Sequence, residues 1–239
     1  MKLSVRLFAG LRERAGASEV VLEGLPEGLE PDGLRRELAR RLPALGDLSQ
    51  VRVAVGTRYA EEGRPLPTGE PVSLIPPVSG GSGAPGAPGA PGSGQDLARG
   101  VFELSPRPLD PAASLARVAD GEHGGTALFV GTTRGEAGRV LRLEYEAFPG
   151  MAGPEMARIF ARCSAEVATA PERALRMLVQ HRTGTVAVGE PSVVVAVASP
   201  HRDAAFAACR FLIDELKASL PVWKKEFLES GAHWVGDRS

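Results

Sequence analysis

Cysteine is scarce in this chain: 239 residues contain two, Cys163 and Cys209. Two thiols cannot build a disulfide framework or a four-thiolate metal site, which argues against an extracellular scaffold and a structural zinc. No run of about 18 apolar residues occurs, and the opening MKLSVRLF alternates apolar with polar where a signal peptide needs an unbroken apolar stretch. The expectation is a cytoplasmic protein with no membrane partner. A basic excess is also lacking, since 28 Lys and Arg face 29 Asp and Glu, so no nucleic-acid partner is expected. Lysine itself is rare. Of the 28 basic residues only Lys2, Lys217, Lys224 and Lys225 are lysines, and three of them fall within nine residues. Chance in an arginine-rich chain is one explanation; the other is chemistry that needs an amine able to lose its proton, which a guanidinium cannot do.

What is present divides the chain into parts. Residues 82–94 read SGAPGAPGAPGSG, without charge or a large apolar group, and form a linker of roughly 40 Å if extended at about 3.1 Å per residue. Before it, Lys2 to Phe8 and Glu19 to Glu23 read as a hairpin. A helix follows, capped by Asp32 and carrying Leu34, Leu38 and Leu42 on one side. Val51 to Val55 and Pro71 to Ile75 supply two further strands. This order predicts a small β-grasp sheet on one helix, over residues 1–81.

After the linker, residues 95–239 predict a mixed α/β layer domain, so the chain as a whole is α+β. Asp110-Pro111 opens a helix, and Thr126 to Thr132 and Val140 to Glu146 read as strands. A longer helix carries Met156, Ile159, Phe160, Cys163 and Val167. Leu175 to Gln180 and Val193 to Ala198 are strands, the second so uniformly apolar that burial on both faces is expected. A last helix runs from about Asp203 to Ser219.

Chemistry is concentrated near that last helix. At about 100° per residue, Phe206, Cys209, Ile213, Leu216 and Leu220 form one apolar stripe with Lys217 just beyond its Phe206 edge. Burial there would disfavour the ammonium and make a usable base or nucleophile, unless the lysine merely snorkels. Pro221 ends the helix and turns the Trp223-Lys224 corner back toward the same region. Lys225 reads as surface charge. Three places could hold an anion: Ser199-Pro200-His201-Arg202 at a strand-to-helix turn, Arg134 in the loop Gly131 to Gly138, and His181-Arg182 after a strand. Each of these, taken alone, reads more readily as a solvated arginine or a satisfied core histidine. Cys163 and Cys209 read as core packing. The first part ends PPVSGG, and Gly80-Gly81 is either the start of the linker or a thin tail able to enter a narrow channel.

A β-grasp domain ending in Gly-Gly after PPVSG resembles the small, sulfur-carrying, ubiquitin-like subunit of molybdopterin synthase (MoaD). FVGTTRGEAG, LEYEAFPGMA, HRTGTVAVGE, SPHRDAAFAACRFLIDELK and PVWKKE, in this order, resemble its large catalytic subunit (MoaE), a hammerhead-type α/β domain. The resemblance implies that a terminal glycine, here Gly81, is adenylated, converted to a thiocarboxylate by a separate activating enzyme, and used to donate sulfur. The acceptor is cyclic pyranopterin monophosphate, and the product is the dithiolene that later holds molybdenum or tungsten. It matches Lys217 and Lys224 to the active-site lysines, and places Arg134, His181, Arg182, His201 and Arg202 in blocks that line the anionic substrate's pocket. It implies a homodimer through the C-terminal domain and no metal or cofactor for the step.

Two departures stand out. Gly81 is joined to Ser82 by a peptide bond, and an amide cannot be adenylated as a carboxylate can, so cleavage after Gly81 is expected unless an external small subunit serves the enzyme or the fusion is inactive. Position 56 is Gly where the family commonly shows Asn. The rival is a sulfur-carrier and docking fusion serving another thiolation pathway.

Overall fold

The computed structural model describes residues 1–77, 96–135, 140–170 and 174–236, which form two compact units, one of residues 1–77 with 234–236 and one within 96–233. Gly80, Gly81 and the segment 82–94 lie outside the described residues.

The first unit runs β1 (Leu3–Leu7), α1 (Ala9–Ala15), β2 (Glu19–Leu22), α2 (Pro31–Arg41), a 3-10 turn (Pro43–Leu45), β3 (Arg52–Val55), β4 (Arg58–Tyr59) and β5 (Val72–Ile75). Its sheet order is β2-β1-β5-β3-β4, with β1 parallel to β5 and the other pairs antiparallel. Leu3, Val5 and Leu7 point inward and Ser4 and Arg6 outward, the period-2 pattern read from the sequence. Leu34 and Leu38 of α2 meet them in one core.

Three details differ from expectation. The two opening strands do pair, but a seven-residue helix, α1, joins them. With Leu11 its one large buried side chain, α1 offers no apolar period to detect. Asp32 is not the cap of α2. Glu30 holds that position because Pro31, with its fixed φ, takes the first helical place, and Asp32 sits in the first turn paired with Arg35 and Arg36. Gly56, at the tight β3–β4 turn, has φ +58, in the left-handed region where Asn is the best-tolerated side chain after Gly, so either residue serves this turn.

The described residues from 96 onward contain β6 (Val101–Ser105), α3 (Pro111–Val118), β7 (Gly125–Thr132), β8 (Val140–Ala147), α4 (Pro149–Val167), β9 (Arg176–Arg182), β10 (Gly184–Ala187), β11 (Pro191–Ser199), α5 (Arg202–Ser219), β12 (Val222–Leu228) and β13 (Gly231–Trp234). Two four-stranded sheets result, ordered β6-β9-β11-β7 and β10-β8-β12-β13. Asp110 caps α3 as its sequence position suggests, accepting from the Ala112 and Ala113 amides at 2.9 and 3.1 Å. β11 is covered on both faces. Val193, Val195 and Val197 pack in the core with α4 and α5, while Ala196 and Ala198 pack with Val118 of α3 and Leu178 of β9. Beyond Pro221 the chain turns back as β12, antiparallel to β8.

Candidate functional site

α5 and β12 position the two candidate lysines. The buried side of α5 consists of Ala204, Ala205, Ala208, Cys209, Leu212, Ile213 and Leu216, continued by Leu220. At about 100° per residue these span roughly half the helix circumference. Phe206 does not belong to this face, being 65% exposed. The expected stripe is therefore shifted: alanines let the first turns of α5 lie close to the sheet, leaving the bulky phenyl group outside. Lys217 is exposed as well, so the desolvation argument for its amine does not hold. Its Nζ instead stands 5.8 Å from the centroid of the Phe129 ring, within cation–π range.

Lys224 lies on β12 directly opposite Tyr145 of β8, and its Nζ is 3.1 Å from Glu226 Oε1. Tyr145 meets the His181 ring edge to face, with centroids 5.0 Å apart. Burial raises the pKa of the Tyr145 hydroxyl, against a hydrogen bond with Ser192 that lowers it. His181, on β9, is opposite Val193; Val193 is opposite Gly131, two residues along β7 from Phe129. A series of contacts and strand pairings thus links Lys217 through Phe129, His181 and Tyr145 to Lys224.

The His181 ring is held neutral. Burial pushes its pKa down from 6.5 to about 4, and Nδ1, 2.8 Å from the Arg182 carbonyl oxygen, is placed to donate its proton there. Arg182 follows on the alternate face of the strand. Its side chain is 5% exposed; Nη2 donates to the Thr185 carbonyl at 2.7 Å and Nη1 stands 3.6 Å from Glu190 Oε2. Its Nε and Nη1 make no hydrogen bond. This guanidinium braces the β9–β10 turn.

The His201-Arg202 candidate lies at the opposite end of α5 from Lys217. His201 occupies the N-cap position of α5, and both it and Arg202 are exposed. Gly125 permits close packing here: a Cβ at this position would lie 2.7 Å from the Arg202 amide nitrogen and 3.0 Å from the His201 carbonyl carbon. Arg202 is fifteen residues from Lys217, about 22 Å along a helix at 1.5 Å per residue. Arg134 is exposed in a loop whose residues 136–139 lie outside the described set. Gly81 lies outside it too. Both cysteines are buried and free, with burial raising their pKa values to about 12 for Cys163 and about 11 for Cys209, the inert state expected of core thiols. Among the described residues no three His, Cys, Asp or Glu side chains are grouped so as to hold a metal ion, and no helix is long and apolar enough to cross a membrane.

Tyr145 and Glu226 escape a reading of the sequence. Each lies in a quoted block, LEYEAFPGMA and PVWKKE, and only the pairing of β8 with β12 brings those blocks together.

Comparison with known proteins places both units. The MoaE protein family matches residues 104–219 and the ThiS family residues 5–81. The chain is 42% identical over 147 residues to the molybdopterin synthase catalytic subunit 1 of Mycobacterium tuberculosis, covering 59% of this chain and 97% of that one. It is 37% identical over 139 residues to the catalytic subunit of Bacillus subtilis strain 168, covering 57% and 85%. The solved structure of molybdopterin synthase from Staphylococcus aureus superposes with a TM-score of 0.52 at 28% identity, covering 61% of this chain and all of that one. The second unit is a MoaE-type catalytic domain, and the first is a ThiS-type, ubiquitin-like sulfur-carrier domain. The chain belongs to the molybdopterin synthase catalytic subunit family, which makes it an enzyme of molybdenum cofactor biosynthesis.

Proposed function

We propose that this chain transfers sulfur from a thiocarboxylate at Gly81 to cyclic pyranopterin monophosphate, building the molybdopterin dithiolene. The observation that carries this reading is the presence of both a ThiS-family region and a MoaE region in one chain, the first match ending at Gly81 itself. Cleavage after Gly81 frees the carboxylate, a separate enzyme adenylates and sulfurates it, and two such deliveries complete one dithiolene. The domain division follows: a carrier over 1–81, a linker over 82–94 and a catalytic domain over 95–239.

Lys217 and Lys224 act as general acid or base, or capture an intermediate covalently. The series of contacts that links them and the rarity of lysine in this chain support the assignment. Arg134, His201 and Arg202 orient the anionic substrate from exposed positions. His181, uncharged at neutral pH, contributes a hydrogen bond rather than a charge, and Arg182 acts by bracing the adjoining turn. A homodimer through the second unit would let the Arg202 end of one copy serve the lysine end of another.

Mass spectrometry of the N-terminal fragment from native cells tests the reading. A terminus at Gly81 with one oxygen replaced by sulfur is expected; an active enzyme present only as full-length chain would overturn it. Lys217→Ala and Lys224→Ala should each lower dithiolene formation by about 100-fold or more. Retained activity would instead favour the carrier-only alternative.

A further inference from the structure

Lys224, Lys225 and Glu226 are consecutive on β12, so alternation puts Lys224 and Glu226 on one face and Lys225 on the other. Their surroundings differ accordingly. Lys225 Nζ lies 5.8 Å from the centroid of the Phe227 ring. Lys224 has a carboxylate 3.1 Å away, with its own side chain 25% exposed and that of Glu226 17%. Such a pair is screened by water less than the exposed Arg36–Asp32 and Arg40–Glu37 pairs of α2. The second oxygen, Glu226 Oε2, faces His233 Nε2 of β13 at 3.6 Å. The carboxylate is therefore contacted from two strands, one oxygen toward each. Tyr145, opposite Lys224, also feels the Glu226 charge.

We propose that Glu226 is a positioning residue for Lys224: one carboxylate oxygen fixes where the Lys224 amine stands, while the other lies toward His233 of the next strand. A lysine has a long flexible stem and a point charge, so without a partner its nitrogen samples many places. Anchored on a carboxylate that belongs to the same strand and faces the next, the amine is confined before substrate arrives. The proposal rests on the assignment of Lys224 to the reaction, and the site it describes lies wholly within the second unit.

The test uses the full-length chain with wild-type, Glu226→Gln and Glu226→Asp sequences. Each is treated with an N-hydroxysuccinimide acetate reagent, and acetylation of Lys224 is read by peptide mass spectrometry against Lys225 as internal standard. An amine held by a carboxylate must leave it to react, so E226Q should raise the Lys224 to Lys225 ratio about threefold, the scale of a partly screened ion pair. E226D should restore most of the protection. In the sulfur-transfer assay E226Q should lower kcat about tenfold or more with KM within about twofold, since misplacement of a reacting group acts on the chemical step. An unchanged labelling ratio in E226Q overturns the proposal, as does a changed ratio with unchanged kcat. Should E226Q fail to fold, E226D decides, because retained protection supports the pair and wild-type-like kcat with full loss of protection refutes it. A shifted ratio in a chain whose wild type transfers no sulfur leaves the pairing standing and removes the activity reading instead.

Discussion

The two units bury different kinds of side chain. Among the described residues, Ser73 is the one buried polar side chain of residues 1–77, whereas the second unit buries Ser114, Thr133, His181, Arg182, Ser192 and Ser199. Several of these are not fully satisfied: Thr133 Oγ1, Ser199 Oγ and two nitrogens of Arg182 make no hydrogen bond. Burying polar groups costs stability unless they are well partnered, so the larger number of buried polar side chains in the second unit has a reason to be sought in function. Under the proposed function, the first unit presents its reactive group at Gly81, beyond its packed body, and needs only that body to be well packed. A catalytic domain must place polar groups in its walls and tolerate the strain of doing so.

This contrast can be broken most severely at the tail. Deleting Gly80 and Gly81 should reduce dithiolene formation to nothing detectable while leaving calorimetric unfolding of both units unchanged; a shifted unfolding temperature would mean that the tail also supports the body. Next in size is Leu38→Ala, which removes a fully buried side chain from the first core. It should cost about 2–5 kcal/mol in urea unfolding monitored on that unit.

A smaller, pH-dependent effect is expected from His181. Folded, it takes up its proton near 4; unfolded, near 6.5. Below about 6.5 the unfolded chain therefore binds more protons, so the contribution of the neutral ring is complete above that pH and declines as pH falls toward about 4. His181→Asn should flatten the unfolding temperature across this window relative to wild type. Parallel curves would show that the ring is not held neutral. The smallest change is predicted for Arg182→Met, at less than about 1 kcal/mol. Two of its nitrogens make no hydrogen bond, its ion pair with Glu190 is long at 3.6 Å, and Glu190, 41% exposed, remains solvated after its loss. A much larger loss would mean that the turn depends on this charge.

Much of the fold was legible because periodicity reports burial. The alternation in β1, the leucines of α2, the Asp110-Pro111 start of α3 and the uniformly apolar β11 all follow from local pattern. Where pattern was weak, reading faltered. α1 has one large apolar residue, and Phe206 was assigned to the core by its chemistry although the close approach of α5 to the sheet admits alanine there. The site was legible in part. Lys217 and Lys224 stood out by their rarity, but nothing local said that Lys224 faces Tyr145 or that Lys217 is exposed.

Composition and local order alone determined that this chain comprises two α+β units, a Gly-Gly pair ahead of an Ala/Pro/Gly-rich stretch and an unusual lysine cluster, because turn residues, caps and hydrophobic period act over a few neighbours. Which groups meet was decided only in three dimensions. Tyr145 and Lys224 are 79 positions apart in number, and Lys217 and Phe129 are 88, so their proximity depends on how β8 pairs with β12 and how α5 rests on β7 and β11. Strand register and helix packing are properties of the whole core, and no short stretch of sequence carries them.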